Sequence, residues 1–506
     1  MSLASTSFRP SLTRPTVEVI MTRRRLAVLV TLLGLVWFAP VAAWAGCPEI
    51  LSFLAGKAVD VVCFDSSDLT TNNAQTTPPN NSLPVLPPFA FTPQIDRGVI
   101  SPNPPDRTPI AGPVPGIQVE GYLAGDPTGE ARFLLRLPTN WNGQLVVAGA
   151  SGTRSEFNGD FAWSDYVVQK GYAYASQNKR VLNFRLTTSG DPLGCRLNPA
   201  SPLFVHFYIN DPQKSFTEWT DAIVENARLA RDTLKVQYGK HPGRTYAVGT
   251  SNGGYQVRRA IEAAPNLFDG GVDWEGTFVD PVGPNILIDL PPALKNFPAY
   301  VGSGFDPNSP AAQAIRAAGY PPDILNGPLS LWLVYWNSFW EVTACQWQKK
   351  LDPAYDTYGA GLENYDYAAR VDVSDVEDAF AAFATTGKIK KPLVTVAGTM
   401  DALLPIDRHA RAYQAKVAAS RKGNNDHRNA QYRLYEIQNG NHVDSFRSFF
   451  PLQLEYIQPH AQRAFDLLVD HVENRAPLPP EQCVPRGGVI AATPAQPGHC
   501  ATLFVP

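Results

Sequence analysis

One stretch, Tyr246-Ala-Val-Gly-Thr-Ser251-Asn-Gly-Gly254, limits what this chain can fold into more than any other. A short apolar run ends at Gly249, a sharp turn follows, and a helical pattern opens over 255–264. Gly249-Thr-Ser251-Asn-Gly253 is thus a G-x-S-x-G pentapeptide in a strand–turn–helix setting. A Cβ at either flanking glycine would crowd the neighbouring strand or the helix start, and the serine between them must take a strained bend. Held there, the Ser251 hydroxyl stands at the carboxyl end of a sheet with a helix N-terminus beneath it. That is where a nucleophile belongs.

The flanking sequence supplies the sheet. Residues 117–123 and 131–137 alternate as antiparallel strands. Short apolar runs at 144–148, 171–175, 246–249 and 271–273 are separated by helical patterns at 161–170 and 215–238. Ser215-Phe-Thr-Glu218 reads as a capping box, and Trp219, Ile223, Ala227, Ala230 and Leu234 form the stripe behind it. Strand and helix alternate again from Pro392: a strand at 392–397, a helix at 407–421, a strand at 431–437 and a long helix at 455–473. The pattern predicts an α/β fold, a mostly parallel sheet covered on both faces. The core falls at 116–279 and 389–476. About 110 residues rich in Pro, Asn and aromatics interrupt it, too many for one loop. They predict a mainly helical lid or cap over 280–388. Trp332, Trp336 and Trp340 fall on one helical side with Phe339, as the insertion's own core or as the wall of an apolar substrate cleft.

Both ends read differently. Met21-Thr-Arg23-Arg24-Arg25, an apolar run over 26–43 and Ala43-Trp-Ala45 predict a secretory signal over 1–45, with Met21 as an alternative start. The run is also long enough for a single membrane anchor, and Cys47 is a lipidation candidate that Trp44 argues against. No stable membrane insertion is expected after cleavage. Residues 1–45 hold five arginines and one glutamate, so the net charge of −3 becomes −7 without them. A mildly acidic product lacking a basic tract argues against a nucleic-acid partner. Export permits disulfides. Cys47 with Cys63, Cys483 with Cys500 and Cys195 with Cys345 are one of the 15 pairings that six cysteines allow. Residues 46–115 read as a Pro-rich segment, with 12 prolines between Pro78 and Pro115. Val85, Leu86, Phe89, Ala90 and Phe91 make it too apolar for a linker, so a surface strap is expected. Residues 477–506 read as a tail.

A serine nucleophile needs a base, and the base an orienting acid. Of eight histidines, His442 directly follows a strand, in Gln438-Asn-Gly-Asn-His442. Asp401, in Gly398-Thr-Met-Asp401, also follows a strand end and is the candidate acid. Asp407 is its rival, and Asp444 reads as a loop or cap residue. The order Ser251, Asp401, His442 is that of the α/β-hydrolases. The oxyanion donors expected are the Asn252 N–H and an N–H at Ser151 or beside it, in the glycine-rich turn after 144–148. The remaining histidines read as surface or structural. No metal or cofactor is expected, since metal-ligand spacings and phosphate-binding glycine loops are missing; Asn424–Asp426 is a weak calcium candidate.

With these residues in place, the chain resembles the tannase and feruloyl esterase family, and also 3-hydroxybutyrate oligomer hydrolases. The motifs are Pro138-Thr-Asn-Trp-Asn-Gly143, Gly171-Tyr-Ala173, Gly249-Thr-Ser251-Asn-Gly-Gly254, Asn266-Leu-Phe-Asp-Gly270, Gly398-Thr-Met-Asp401 and Gly440-Asn-His442. The resemblance implies an α/β-hydrolase fold with a large inserted lid, and a triad at Ser251, Asp401 and His442. Where tannases carry a disulfide-bonded cysteine pair, this chain has Thr250 and Val443. The expected activity is a secreted serine carboxylic-ester hydrolase acting on an uncharged aromatic or hydroxyacid-oligomer ester. A secreted serine peptidase and a non-catalytic cell-envelope binding protein are the alternatives.

Overall fold

Apolar runs without alternation and runs with it sort themselves into the middle and the edge of one sheet. The computed structural model describes residues 45–78, 93–126, 130–152, 155–181, 215–355, 361–421 and 431–506. The strands are β1 (Ala58–Ser66), β2 (Gly116–Leu123), β3 (Arg132–Pro138), β4 (Gln144–Gly149), β5 (Ala173–Gln177), β6 (Arg244–Thr250) and β7 (Gly270–Trp274). A two-stranded ribbon, β8 (Leu325–Asn326) and β9 (Leu329–Ser330), stands apart. The sheet resumes with β10 (Leu393–Gly398), β11 (Tyr432–Ile437), β12 (Gln482–Val484) and β13 (Gln496–Pro497). Its order is β1-β2-β3-β5-β4-β6-β7-β10-β11-β12-β13. Strands β5 to β12 in that order are parallel, and antiparallel pairs flank them. Strands β5, β7 and β10 are buried along their whole length, as helices on both faces require. This is an α/β-hydrolase fold. The order reverses at β4, which lies between β5 and β6, so the crevice at the carboxyl ends of β4 and β6 is the place for a site.

The long helix Glu218–Tyr238 ends at Gly239, whose φ of +75° supplies the left-handed stop. The capping box expected at Ser215 does not form. Ser215 Oγ accepts from the Thr217 N–H at 3.3 Å, and Glu218 instead meets Arg180, just beyond β5. An ion pair to a neighbouring element wins over the local cap. The helix after Ser251, Asn252–Ala263, is tied to β7 by Arg258 and Asp273, 2.5 Å apart and both wholly buried.

The chain ends hold more regular structure than a Pro-rich segment and a tail imply. Helix Cys47–Leu54 and strand β1 precede the Pro-rich stretch, joined by the Cys47–Cys63 disulfide. Asp60 and Asp65 break up the apolar pattern of β1. Residues 93–115 do lie across the molecule: Asp444 N–H donates to Ile100 O and Ser445 Oγ to Val99 O. The apolar residues 85–91 fall outside the described residues. The presumed tail adds β12 and β13 to the sheet, with Cys483 bonded to Cys500. Cys345 is disulfide-bonded, and Cys195, its expected partner, lies outside the described residues. So do the signal segment and Asn424–Asp426. No helix among the described residues is long and apolar enough to cross a membrane.

Between β7 and β10 the insertion is mainly helical: Ile286–Gly302, Pro310–Ala317, Leu331–Tyr335, Trp336–Trp340, Glu341–Leu351, Tyr367–Val371 and Val376–Phe383. On its first helix, Asp289 is buried with both carboxyl oxygens lacking hydrogen bonds; His409 Nε2 is 3.7 Å away and Arg408 Nε 3.8 Å. Burial, only partly offset by Arg408, pushes its pKa up to about 8. A carboxyl raised on folding stabilises the native state below its unfolded pKa of about 3.9, and that stability is lost as pH rises through about 8. The wild type should therefore lose melting temperature between pH 5 and pH 9 more steeply than Asp289→Asn, as read by calorimetry in matched buffers.

Candidate active site

The turn after β6 is built by close backbone approach. A Cβ on Gly249 would lie 2.4 Å from Gly253 O, and one on Gly253 would lie 2.6 Å from Gly149 O. Neither contact can relax by turning a side chain, because both meet backbone. Gly253→Ala should therefore cost about 1–3 kcal/mol or more, seen as a lower urea midpoint at unchanged m-value. Ser251 itself has φ +60° and ψ −123°, a conformation worth about 1–3 kcal/mol of strain. Its N–H donates to Trp274 O at 2.9 Å, and its carbonyl accepts from Tyr255 N–H at 3.0 Å. The hydroxyl is thereby fixed at the first turn of the following helix.

Across the crevice, the loops after β10 and β11 meet. Gly398 allows it, since a Cβ there would lie 2.3 Å from Gly440 C. Met400 N–H donates to Gly440 O at 2.7 Å. His442 Nε2 is 2.9 Å from Ser251 Oγ, and His442 Nδ1 is 2.7 Å from Asp401 Oδ2. The other Asp401 oxygen accepts from Leu403 N–H and Leu404 N–H, each at 2.7 Å. All three side chains are buried, with Ser251 only 6% exposed. Burial raises the Asp401 pKa, but the His442 ring, with the Glu275 carboxyl and the Leu404 N–H, more than offsets it, so the carboxyl titrates below its ordinary value. An ionised Asp401 makes His442 Nδ1 the protonated nitrogen and leaves the Nε2 lone pair to Ser251.

Asp407 is on the wrong side for the acid: it pairs with Arg411 at 2.8 Å and is exposed. Asp444 accepts from Ile457 N–H and Gln458 N–H, each at 2.7 Å, at the start of helix Gln458–Asn474. The Asn252 N–H lies in the first turn of its helix, where donors have no intrahelical acceptor. Ser151 lies just beyond β4, but its N–H and its hydroxyl both donate to Asn158 Oδ1, at 3.3 and 2.6 Å. Next to it, Thr153 and Arg154 lie outside the described residues.

Two of the three tryptophans are placed differently from the expectation of a cleft wall. Trp332 and Trp340 have no exposed surface. Trp340 Nε1 donates to Ala402 O at 2.7 Å, and Tyr335 Oη donates to Asn441 Oδ1, so the insertion grips the residues beside Asp401 and His442. Trp336 is half-buried, stacked on Phe297 at 4.8 Å. Helical spacing revealed a common side, not which way that side faces.

Glu275, just beyond β7 and with φ +52°, was missed. It is buried with Oε2 3.3 Å from His442 Nδ1, and Oε1 accepts from Gly398 N–H. Its only sequence signal is a carboxylate ending a buried strand. Glu275, Asp401 and His442 form a group whose ligand-type atoms lie within 4.8 Å of one another. With Nδ1 protonated toward Asp401 and Nε2 facing Ser251, the ring keeps no lone pair for a cation.

Residues 351–502 match the 3HB-oligomer hydrolase (3HBOH) family. The matched stretch contains Asp401 and His442. Curated relatives carry the same description. The D-(-)-3-hydroxybutyrate oligomer hydrolase of Burkholderia thailandensis is 38% identical over 111 residues, 21% of this chain and 15% of that protein. That of Burkholderia mallei is 38% identical over 110 residues, again 21% and 15%. The aligned part is thus a small fraction of those hydrolases' length. Among solved structures, feruloyl esterase B from Aspergillus oryzae is similar with a TM-score of 0.45 and 13% identity, covering 85% of this chain and 90% of that one. Tannin acyl hydrolase from Aspergillus niger gives 0.42 and 11%, covering 76% and 87%.

Proposed function

We propose that the protein is a secreted serine carboxylic-ester hydrolase that works through an acyl-enzyme on Ser251. The observation that carries the reading is one imidazole held at 2.7 Å by Asp401 and at 2.9 Å from the Ser251 hydroxyl. His442 takes the proton as Ser251 attacks the ester carbonyl, and Asp401 stabilises the imidazolium. The oxyanion accepts from the Asn252 N–H and from a second donor beside Ser151. His442 returns the proton to the leaving alcohol, then activates the water that releases the acid.

The substrate class we propose is an uncharged hydroxyacid oligomer ester. The 3HBOH match over 351–502 supports it, and so does the absence of the tannase cysteine pair at Thr250 and Val443. An aromatic ester is the alternative. The inserted segment 280–388 serves as the lid, with Trp336 as the one of the three tryptophans that has surface to offer. The basic and apolar start and the two disulfides in the described residues support export.

The test is a panel of 3-hydroxybutyrate oligomers, p-nitrophenyl butyrate, methyl ferulate and methyl gallate, with casein beside them. The highest kcat/KM on the hydroxybutyrate oligomers is expected. Highest turnover of ferulate or gallate would move the substrate to aromatic esters, and cleavage of casein alone would make the protein a peptidase.

A further inference from the structure

The acid side of this site holds two carboxyl groups, and the relay just proposed uses one. Asp401 receives three donors, two backbone N–H groups on Oδ1 and the His442 ring on Oδ2, and its Oδ2 keeps one acceptor site. Glu275 differs. Oε1 takes the Gly398 N–H, but Oε2 is buried with no hydrogen-bond donor directed at it, because the Nδ1 proton 3.3 Å away is directed at Asp401. An ionised oxygen left so would bear its full desolvation cost beside a second buried carboxylate. Protonated, the same oxygen becomes a donor, and the acceptor beside it is the Asp401 carboxyl, which shares the His442 Nδ1 with it and whose oxygen lies within 4.8 Å.

We propose that Glu275 is a positioning residue of the relay: as a neutral carboxylic acid it donates a hydrogen bond to Asp401 and holds that carboxylate against His442. The pair then carries one negative charge and one proton. That proton stays on Glu275 through the cycle, while the transferred proton moves only between Ser251, His442 Nε2 and the leaving group. The electrostatics agree in direction: burial, and then the neighbouring Asp401, hold Glu275 well above the ordinary carboxyl range. The other ionisable groups acting there are Asp444, which raises it further, and the buried Tyr335 phenol. Among the described residues no lysine or arginine pairs with Glu275.

The backbone is shaped for this contact. Glu275 sits at positive φ, at a cost for any residue but glycine. Its N–H donates to Val396 O at 3.0 Å, which locks it across the β7–β10 seam. A Cβ on Gly398 would come within 2.7 Å of Glu275 Oε1, so the glycine that admits Gly440 also leaves room for this carboxyl.

Because this rests on the ester-hydrolase reading, the experiment begins with fluorophosphonate labelling of the wild type. A chain that takes no label refutes the hydrolase reading itself. With a reactive wild type, kcat and the acidic limb of kcat/KM on p-nitrophenyl butyrate are measured for Glu275→Gln and Glu275→Leu. Gln mimics the neutral acid, donating to Asp401 and accepting from Gly398, so kcat within about threefold of wild type is expected. Leu fills the space without a donor, and losing a hydrogen bond to a charged group should lower kcat about 10- to 100-fold. The acidic limb of Glu275→Gln should stay in place. Removing a true carboxylate 3.3 Å from the His442 ring would instead move that limb down by about one unit or more. Such a move, or equal kcat in the two variants, overturns the proposal. If Glu275→Leu fails to fold, the acidic limb of Glu275→Gln decides alone.

Discussion

Ser251→Ala should lower kcat on p-nitrophenyl butyrate by about 10⁶-fold, and His442→Ala by a similar factor. The two act as one unit, since the base has no proton to take once the hydroxyl is gone. The double variant should therefore be no slower than either single one. The substitution removes one oxygen from a buried turn whose geometry is set by Gly149, Gly249 and Gly253 rather than by the hydroxyl. The melting temperature should change little, which separates lost chemistry from lost fold. Substrate affinity should persist, since the substitution leaves the proposed lid and oxyanion donors untouched. Steady-state assay of the three variants, with calorimetry alongside, checks this.

Asp401→Asn should cost about 10⁴-fold in kcat, through the tautomer of His442. Asp401 Oδ1 already receives two N–H groups, from Leu403 and Leu404. An asparagine oxygen will take that position, because the amide nitrogen facing two donors would leave all of them unsatisfied. The amide nitrogen is then turned toward His442 Nδ1, where it can only donate. The ring must put its proton on Nε2, facing a serine that needs an acceptor. Activity at neutral pH measures the loss, and the ring-nitrogen NMR shifts of His442 report the tautomer.

The parts of this molecule legible in the sequence are those whose cause is local. The serine turn needs glycines two residues on either side, and that requirement is written beside it. Strands β4, β6 and β10 are mostly apolar because both faces are covered. Asp401 stands just past the end of β10 and His442 just past the end of β11, so their place at the crevice could be read. What was not legible is decided between segments far apart in the chain. Glu275 looks like the start of an ordinary loop until Gly398 and Gly440, more than 120 residues on, close over it. The Ser151 N–H looks available until Asn158 takes it. Glu218 looks like a cap residue until Arg180 draws it away. Strand β1 carries Asp60 and Asp65 because it lies at the sheet edge, where charge is tolerated and the apolar pattern weakens.

The central claim is that Ser251 is a nucleophile activated by His442, and peptide mapping after fluorophosphonate treatment tests it most directly. One adduct per chain is expected, on the peptide containing Ser251, forming at least a hundredfold more slowly in His442→Ala, about 3 kcal/mol of lost activation. An adduct on another residue, or none in a preparation that hydrolyses esters, would contradict the account.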